Sequence, residues 1–212
     1  MSSNTNRHER LLAALRAEYE AAFPKSKGAH ERASNVLIDG GSHGARSFDP
    51  YPFFVSQAEG AYVTTLEGRR LVDFWQGHYA NILGHNPPLV RDALVAELQR
   101  GAGLHTGMLE EQQTEYSRLL AETTGSERVR LTTAGTLATM YAIMLARGFT
   151  GRRLAVKVGG GWHGANPMAL KGVGRSDGGF DAVDSAGVPQ ATADEIVVTP
   201  FNDVDTLHKV FR

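Results

Sequence analysis

The 212 residues are 42% hydrophobic and 21% charged, the composition of a folded globular chain of one domain or a little more. A formal net charge of −1 argues against a nucleic-acid footprint and against a polybasic membrane surface. The absence of cysteine excludes disulfide scaffolds, cysteine zinc sites, iron–sulfur clusters and thiol catalysis, and with no apolar run near membrane-spanning length the expectation is a soluble cytoplasmic protein.

In chain order, Leu11, Leu12, Leu15, Tyr19 and Phe23 recur at helical spacing and predict an amphipathic helix over 8–23, with Pro24 just beyond it. Residues 40–52 hold three glycines and two prolines and read as irregular. The segment AYVTTLEGRRLVDF reads as a β-hairpin turning at Glu67-Gly68. Pro87 and Pro88 open a helix through Gln99, and a second helix runs from about Glu110 to Thr123. From Glu127 the pattern alternates: strand RVRLT, an apolar helix from TAGTLATMYAIMLARGF, strand LAVKV, the glycine-rich turn GGGWHGANP, a polar stretch over 172–192, strand EIVVTP, and a helix capped by Asn202 or Asp203. Such alternation implies a parallel sheet with covering helices. The stretch at 172–192 is long for a loop and suggests a lid.

Glycine is the compositional outlier, 24 of 212 residues against an average of about 7%, and it clusters. Gly40–Gly44 formally matches the G-x-S-x-G nucleophile elbow, but Ser42 lacks a strand before it and a helix after it, so a loop is expected. Gly159–Gly164 matches the G-x-G-x-x-G dinucleotide fingerprint after a strand. Against it stand Pro167, Gly172 and Gly174 where a helix should follow, and Asp181 and Asp184 in a polar loop rather than at a strand end. The third cluster, Thr132-Thr133-Ala134-Gly135-Thr136, joins a strand to a helix. A helix start offers free N–H groups and the positive end of a dipole, glycine lets a phosphate approach, and a threonine hydroxyl adds a donor. The bland alternative is plain capping. Trp162-His163-Gly164 after the next strand favours a bound planar ring, since the indole can stack on it and His163 can orient it.

With these motifs in place, the chain resembles the class III pyridoxal-phosphate aminotransferases, and within them the glutamate-1-semialdehyde 2,1-aminomutase branch. The resemblance is collinear from about Val36 to Phe211. It rests on DFWQGHYANILGHNPP, TTAGTLATMYAIMLARGFTGRR, GWHG, SAGVP and FNDVDTLHKVF. It implies the N-terminal part of a fold-type I transferase: a small α+β segment, then an incomplete, mainly parallel α/β/α domain. The expected divisions are 1–52, an N-terminal helix and substrate-side loop; 53–126, a small-domain hairpin and linking helices; and 127–212, the first half of a cofactor-binding domain.

The resemblance further implies pyridoxal 5'-phosphate as cofactor. Ala134, Gly135 and Thr136 would lie at its phosphate, Trp162 on its ring and His163 beside that ring. Arg46 would pair with a substrate carboxylate, with His43 and His78 lining the same pocket. The stretch from Ala165 to Pro189 resembles the family's gating loop. Departures accompany the likeness. Ala134 stands for the family's serine and Leu137 for its glutamate, while His43 and His78 replace the branch's serine and tryptophan.

None of Lys25, Lys27, Lys157, Lys171 and Lys209 aligns with the family's Schiff-base lysine. That lysine and the aspartate that pairs with the pyridine nitrogen are expected beyond Arg212, so no catalytic residue is assigned and the chain is expected to be an inactive piece of a transaminase or aminomutase. In the family's sheet the first strand neighbours the last, so RVRLT would not pair with LAVKV. A homodimer acting on a small-molecule amino donor and acceptor is implied, with no nucleic acid, membrane or metal. Two other readings remain: a non-catalytic relic of the fold serving binding or dimerisation, and an NAD-dependent oxidoreductase using Gly159–Gly164.

Overall fold

Pro24, placed just past the first helix by its spacing, opens a second one. Helix α1 spans Ser2–Ala22 and α2 spans Pro24–Ser34, with the proline in the first turn, where a missing N–H costs nothing. The polar run KSKGAHERAS hides α2 from apolar periodicity. Its start is held from outside, by Glu67 of the hairpin turn. That carboxylate accepts from the Ser26 N–H at 2.7 Å and the Ser26 hydroxyl at 3.1 Å, and Ser26 is fully buried. An acid at a helix start also meets the favourable end of the dipole.

The structure, a computed structural model, describes residues 2–101, 107–174, 183 and 185–212. They form two compact units, Met1–Thr106 and Gly107–Arg212. In the first, the expected hairpin is β2 (Tyr62–Thr65) and β3 (Arg70–Val72), paired antiparallel with Tyr62 opposite Val72. A further strand, β1 (Val55–Glu59), adds to β2 and makes a three-stranded sheet. Its sequence VSQAE lacks apolar alternation because the strand is mostly exposed. An aromatic cluster packs the helices on the residues before this sheet. Tyr19 lies 4.6 Å from Phe23, 5.4 Å from Tyr51 and 5.9 Å from Phe48, and Phe53 lies 5.9 Å from Phe23. Burial, with the nearby Tyr51 and Glu67, pushes the Tyr19 hydroxyl up to about 12. Helix α3, Pro88–Gln99, matches its expected start and end.

The second unit begins with α4, Glu111–Thr124, stopped by Gly125 in the left-handed conformation. Arg128–Thr132, expected as a strand, has no ladder partner among the described residues and is not one. Its apolar pattern favours extension, but a strand exists only where its backbone groups find a neighbour. Helix α5 spans Gly135–Thr150. Strand β4 (Ala155–Val158) pairs with β5 (Ile196–Thr199) in parallel, from Ala155 opposite Ile196 to Val158 opposite Thr199. The stretch expected as structureless ends in a short helix, α6 (Gln190–Ala193). Within that lid reading, 175–182 and 184, which include Asp181 and Asp184, lie outside the described residues. Helix α7 (Val204–Val210) is capped as expected by Asp203, which accepts from the Thr206 N–H at 2.9 Å.

Candidate functional site

The expected site residues fall into two groups, one in each unit. In the second unit, Ala134 is the N-cap of α5 in extended conformation (φ −158°, ψ 156°), and no side chain caps this end. The Gly135 and Thr136 N–H groups are therefore open to an outside acceptor, while Leu137 already donates to the Ala134 carbonyl at 3.1 Å. A methyl added at Gly135 would meet nothing within 4 Å, so the approach to those groups is clear.

The turn after β4 is folded onto this helix start. Gly164 has φ +89°, and a Cβ there would lie 2.4 Å from the Thr136 hydroxyl and 2.6 Å from its Cα, so only glycine fits. The Thr139 hydroxyl, one helical turn beyond Thr136, donates to the His163 carbonyl at 2.7 Å. Asn166, 3% exposed, donates its amide to the same carbonyl at 3.4 Å. From the strand side, the Lys157 ammonium donates to the carbonyls of Gly161 (3.1 Å) and Ala169 (2.9 Å). These bonds fix the backbone and leave the Trp162 indole 59% exposed, free to lie against a flat ligand. The Gly161–Gly164 turn is thus set against the start of α5 near the carboxyl end of β4, where ligands bind in open α/β sheets, with the His163 ring folded back over Gly161. A phosphate fits the uncapped helix end, and a planar ring fits the indole.

In the first unit, Arg46 closes a 3₁₀ turn, Gly44–Arg46, with its side chain exposed. It lines a cavity of about 630 Å³ with Ser42, Phe48, Phe53, Asp73 and Trp75. His43, just before that turn, meets His78 edge-on with ring centroids 5.2 Å apart, and Trp75 meets His78 at 4.7 Å. Asp73, at the end of β3, accepts from the N–H groups of Trp75 (2.8 Å) and Gln76 (3.2 Å) and faces His85 Nε2 at 2.6 Å. Burial opposes its charge, but these hydrogen bonds prevail and hold the carboxyl below its ordinary value.

The two weaker glycine motifs behave as loops. Ser42 lies between two 3₁₀ turns, Ile38–Gly40 and Gly44–Arg46, with no strand before it or α-helix after it. Gly159–Gly164 runs into bends and turns rather than a helix. A second cavity, about 870 Å³, lies between α5, the β4–β5 pair and α7. Its lining is largely apolar and includes His163, Thr139 and Lys157 but not Gly135, Thr136 or Trp162. Among the described residues no three His, Asp or Glu side chains group to hold a metal, and no helix is long and apolar enough to cross a membrane. Sequence reasoning passed over Thr139, Asn166, Asp73 and Trp75. Thr139 was findable as the threonine one turn after Thr136. Asn166 carried no signal, because loop spacing does not reveal burial.

The family description aminotransferase class-III matches residues 43–208. The glutamate-1-semialdehyde 2,1-aminomutase of Methanopyrus kandleri is 40% identical over 187 residues, which are 88% of this chain and 43% of that protein. That of Deinococcus radiodurans is 40% identical over 198 residues, 90% of this chain and 43% of that protein. The chain thus spans less than half the length of these curated relatives. Among solved structures, an omega-transaminase from Sphaerobacter thermophilus superposes with a TM-score of 0.81 at 32% identity, over 88% of this chain and 44% of that one. A glutamate-1-semialdehyde aminomutase from Pseudomonas aeruginosa gives 0.81 at 26% identity, over 97% and 46%. A transaminase solved with PLP bound gives 0.80 at 32% identity, over 89% and 44%. These folds are those of fold-type I transferases, and with a family match running over most of its length this chain belongs to the class III aminotransferases.

Proposed function

We propose that the protein takes part in pyridoxal-phosphate-dependent amino transfer, as a transaminase or 2,1-aminomutase, on an amino acid or amino-aldehyde that carries a carboxylate. The observation that supports this most is the uncapped start of α5, with Gly135 and Thr136 beside the turn that exposes Trp162. The free N–H groups and the Thr136 hydroxyl hold the phosphate, as a helix start holds anions. Trp162 stacks on the pyridine ring, and His163 flanks it. Pyridoxal phosphate, when bound, supplies an electron sink for the carbon that bears the amino group. Arg46 binds the substrate carboxylate through its planar fork, and His43 and His78 line that end of the substrate.

The lysine that anchors the cofactor is not among those present. Lys157 is engaged by two carbonyls, and Lys171 donates to the Ile196 carbonyl at 3.1 Å. We place it outside these residues, in a longer protein that acts as a cytoplasmic homodimer on small-molecule amino donors and acceptors.

Titration of the chain with pyridoxal phosphate, and separately with NAD, tests the reading. Quenching of Trp162 emission and a raised melting temperature with pyridoxal phosphate alone are expected. No response to it, with a stable fold, favours a non-catalytic relic. A response to NAD alone overturns the assignment in favour of an oxidoreductase. In the full-length protein, borohydride is expected to fix the cofactor to a lysine other than Lys157 and Lys171.

A further inference from the structure

After β3 the chain makes a single left-handed turn. Gln76, Gly77, His78 and Tyr79 have φ of 44°, 60°, 61° and 64°. Only the glycine adopts this conformation freely; at the other three positions the side chain crowds the backbone. Such a turn persists where its surroundings over-determine it, and it is found where a side chain must be placed for a purpose. The turn also leaves the Gln76 side-chain carbonyl buried without a hydrogen-bond partner.

The surroundings are specific. One oxygen of Asp73 accepts from the Trp75 and Gln76 N–H groups that lead into the turn, and the Asp73 carbonyl accepts from the Gln76 amide at 3.0 Å. The other oxygen faces His85, and the two side chains are only 15% and 18% exposed. His85 is pinned to the sheet edge by two backbone bonds with Gly60, of 2.9 and 2.8 Å. The next residue back, Gly84, lies so close to that edge that a Cβ would stand 2.9 Å from the Gly60 backbone. Asn81 faces the other ring nitrogen of His85 at 3.3 Å; with its amide donating there, the Nε2 proton is left to Asp73. The pair therefore closes the neck of a loop that carries Trp75 and the left-handed turn, and at that turn His78 meets both Trp75 and His43.

We propose that Asp73 and His85 are positioning residues whose buried pair holds the left-handed Gln76–Tyr79 turn and so sets His78 edge-on to His43. The role rests on the reading of His43 and His78 as substrate-side residues. A pair that merely closed a hairpin would not need the turn beyond it to be left-handed.

The test uses the full chain and needs neither cofactor nor substrate. Ring signals of His43 and His78, the Trp75 indole N–H and the β1–β3 amides are followed by NMR in His85→Ala, Asp73→Asn and His85→Gln. The alanine and asparagine variants are expected to lose the distinct His78, His43 and Trp75 positions while the sheet amides stay in place. His85→Gln, which keeps a donor toward Asp73, is expected to restore them. Ring signals unmoved in His85→Ala overturn the proposal. So does loss of the sheet amides in both disruptive variants, which marks a general structural role, and so does failure of His85→Gln to rescue. Failure of the cofactor titration above leaves this result standing, and failure here leaves the amino-transfer reading standing.

Discussion

The two sheets differ in what stands behind them. Strands β1–β3 are backed by Tyr51 (4% exposed), Val63 (8%) and the aromatic rings around Tyr19, and their turn is tied to α2 through Glu67 and Ser26. Strands β4 and β5 are, among the described residues, a lone parallel pair; β5 buries Ile196 and Thr199 (2% exposed each), but Val156 and Val158 are 38% and 41% exposed and Phe149 of α5 is 93% exposed. Two strands without further partners are marginal in water. Yet this second region carries the proposed cofactor seat. The Gly161–Gly164 turn is held by a few polar bonds from Thr139, Asn166 and Lys157 rather than by a broad core. Local stability and site geometry are therefore separable in this chain. Native-state hydrogen exchange is the most direct way to break the contrast. Amides of Val63 and Leu71 are expected to exchange about a hundredfold more slowly than those of Ala155 and Gly159, which donate to the Glu195 and Thr199 carbonyls, a difference of about 2.7 kcal/mol in opening free energy. Equal protection would remove the contrast.

The next largest effect sharpens the first side of the comparison. In Glu67→Ala, the Ser26 N–H and hydroxyl lose a charged acceptor in a buried place, which costs about 2 kcal/mol. The loss is expected in the unfolding of the first unit, followed by Tyr and Trp75 signals, and not in the β4–β5 amides. Burial tends to raise the Glu67 carboxyl, but its hydrogen bonds from Ser26 and Thr65 win and hold it below its ordinary value. A carboxylate lowered by folding stabilises above its unfolded value, and that contribution fades as pH falls through the lower, folded one. Wild type should therefore lose stability toward acid, while Glu67→Gln should show a flatter acid limb in the same denaturant series.

On the second side, Gly164→Ala is expected to cost about 1.5 kcal/mol, combining an unfavourable φ with a Cβ pressed on Thr136. The same turn holds Trp162, so quenching by pyridoxal phosphate should weaken about tenfold. Gly135→Ala is the contrasting variant. Its Cβ meets open space, so folding is expected to be unharmed, while the methyl obstructs the approach to the helix start and weakens the same titration. If both variants bind pyridoxal phosphate as wild type does, the seat is not at α5.

How much of this was legible in the sequence differs between the same two regions. Helix α3, the hairpin β2–β3 and the Asp203 cap followed from local rules, because Pro88, the Glu67-Gly68 turn and an acid before an apolar run each act within a few residues. Helix α2 and strand β1 did not, because what fixes them is distant: Glu67 lies 41 residues from Ser26, and the Ser26 hydroxyl in turn accepts from Phe54. Arg128–Thr132 shows the converse, a strand-like pattern with no ladder partner among the described residues. At the proposed site, Gly135 and Thr136 stood out only together with Trp162 and His163, because a glycine and threonines at a helix start serve plain capping as well as anion binding. Asp73 and His85 sat unremarked inside a quoted motif, since twelve residues of loop say nothing of a closed neck.

Ala134 gives the smallest and most discriminating variant. At an N-cap, serine in place of alanine adds an oxygen that accepts from the N–H of the second or third helical residue, Thr136 or Leu137, and this stabilises a helix by about 1 kcal/mol. The hydroxyl keeps its proton for a bound phosphate, so capping and anion binding do not exclude each other. Ala134→Ser should therefore slow exchange across α5 about fivefold without ligand, and should also tighten the pyridoxal phosphate titration. Slower exchange with weaker binding would mean that the cap occupies the N–H groups the phosphate needs. The open end of α5 would then be a requirement of the seat, and the alanine a means of keeping it open.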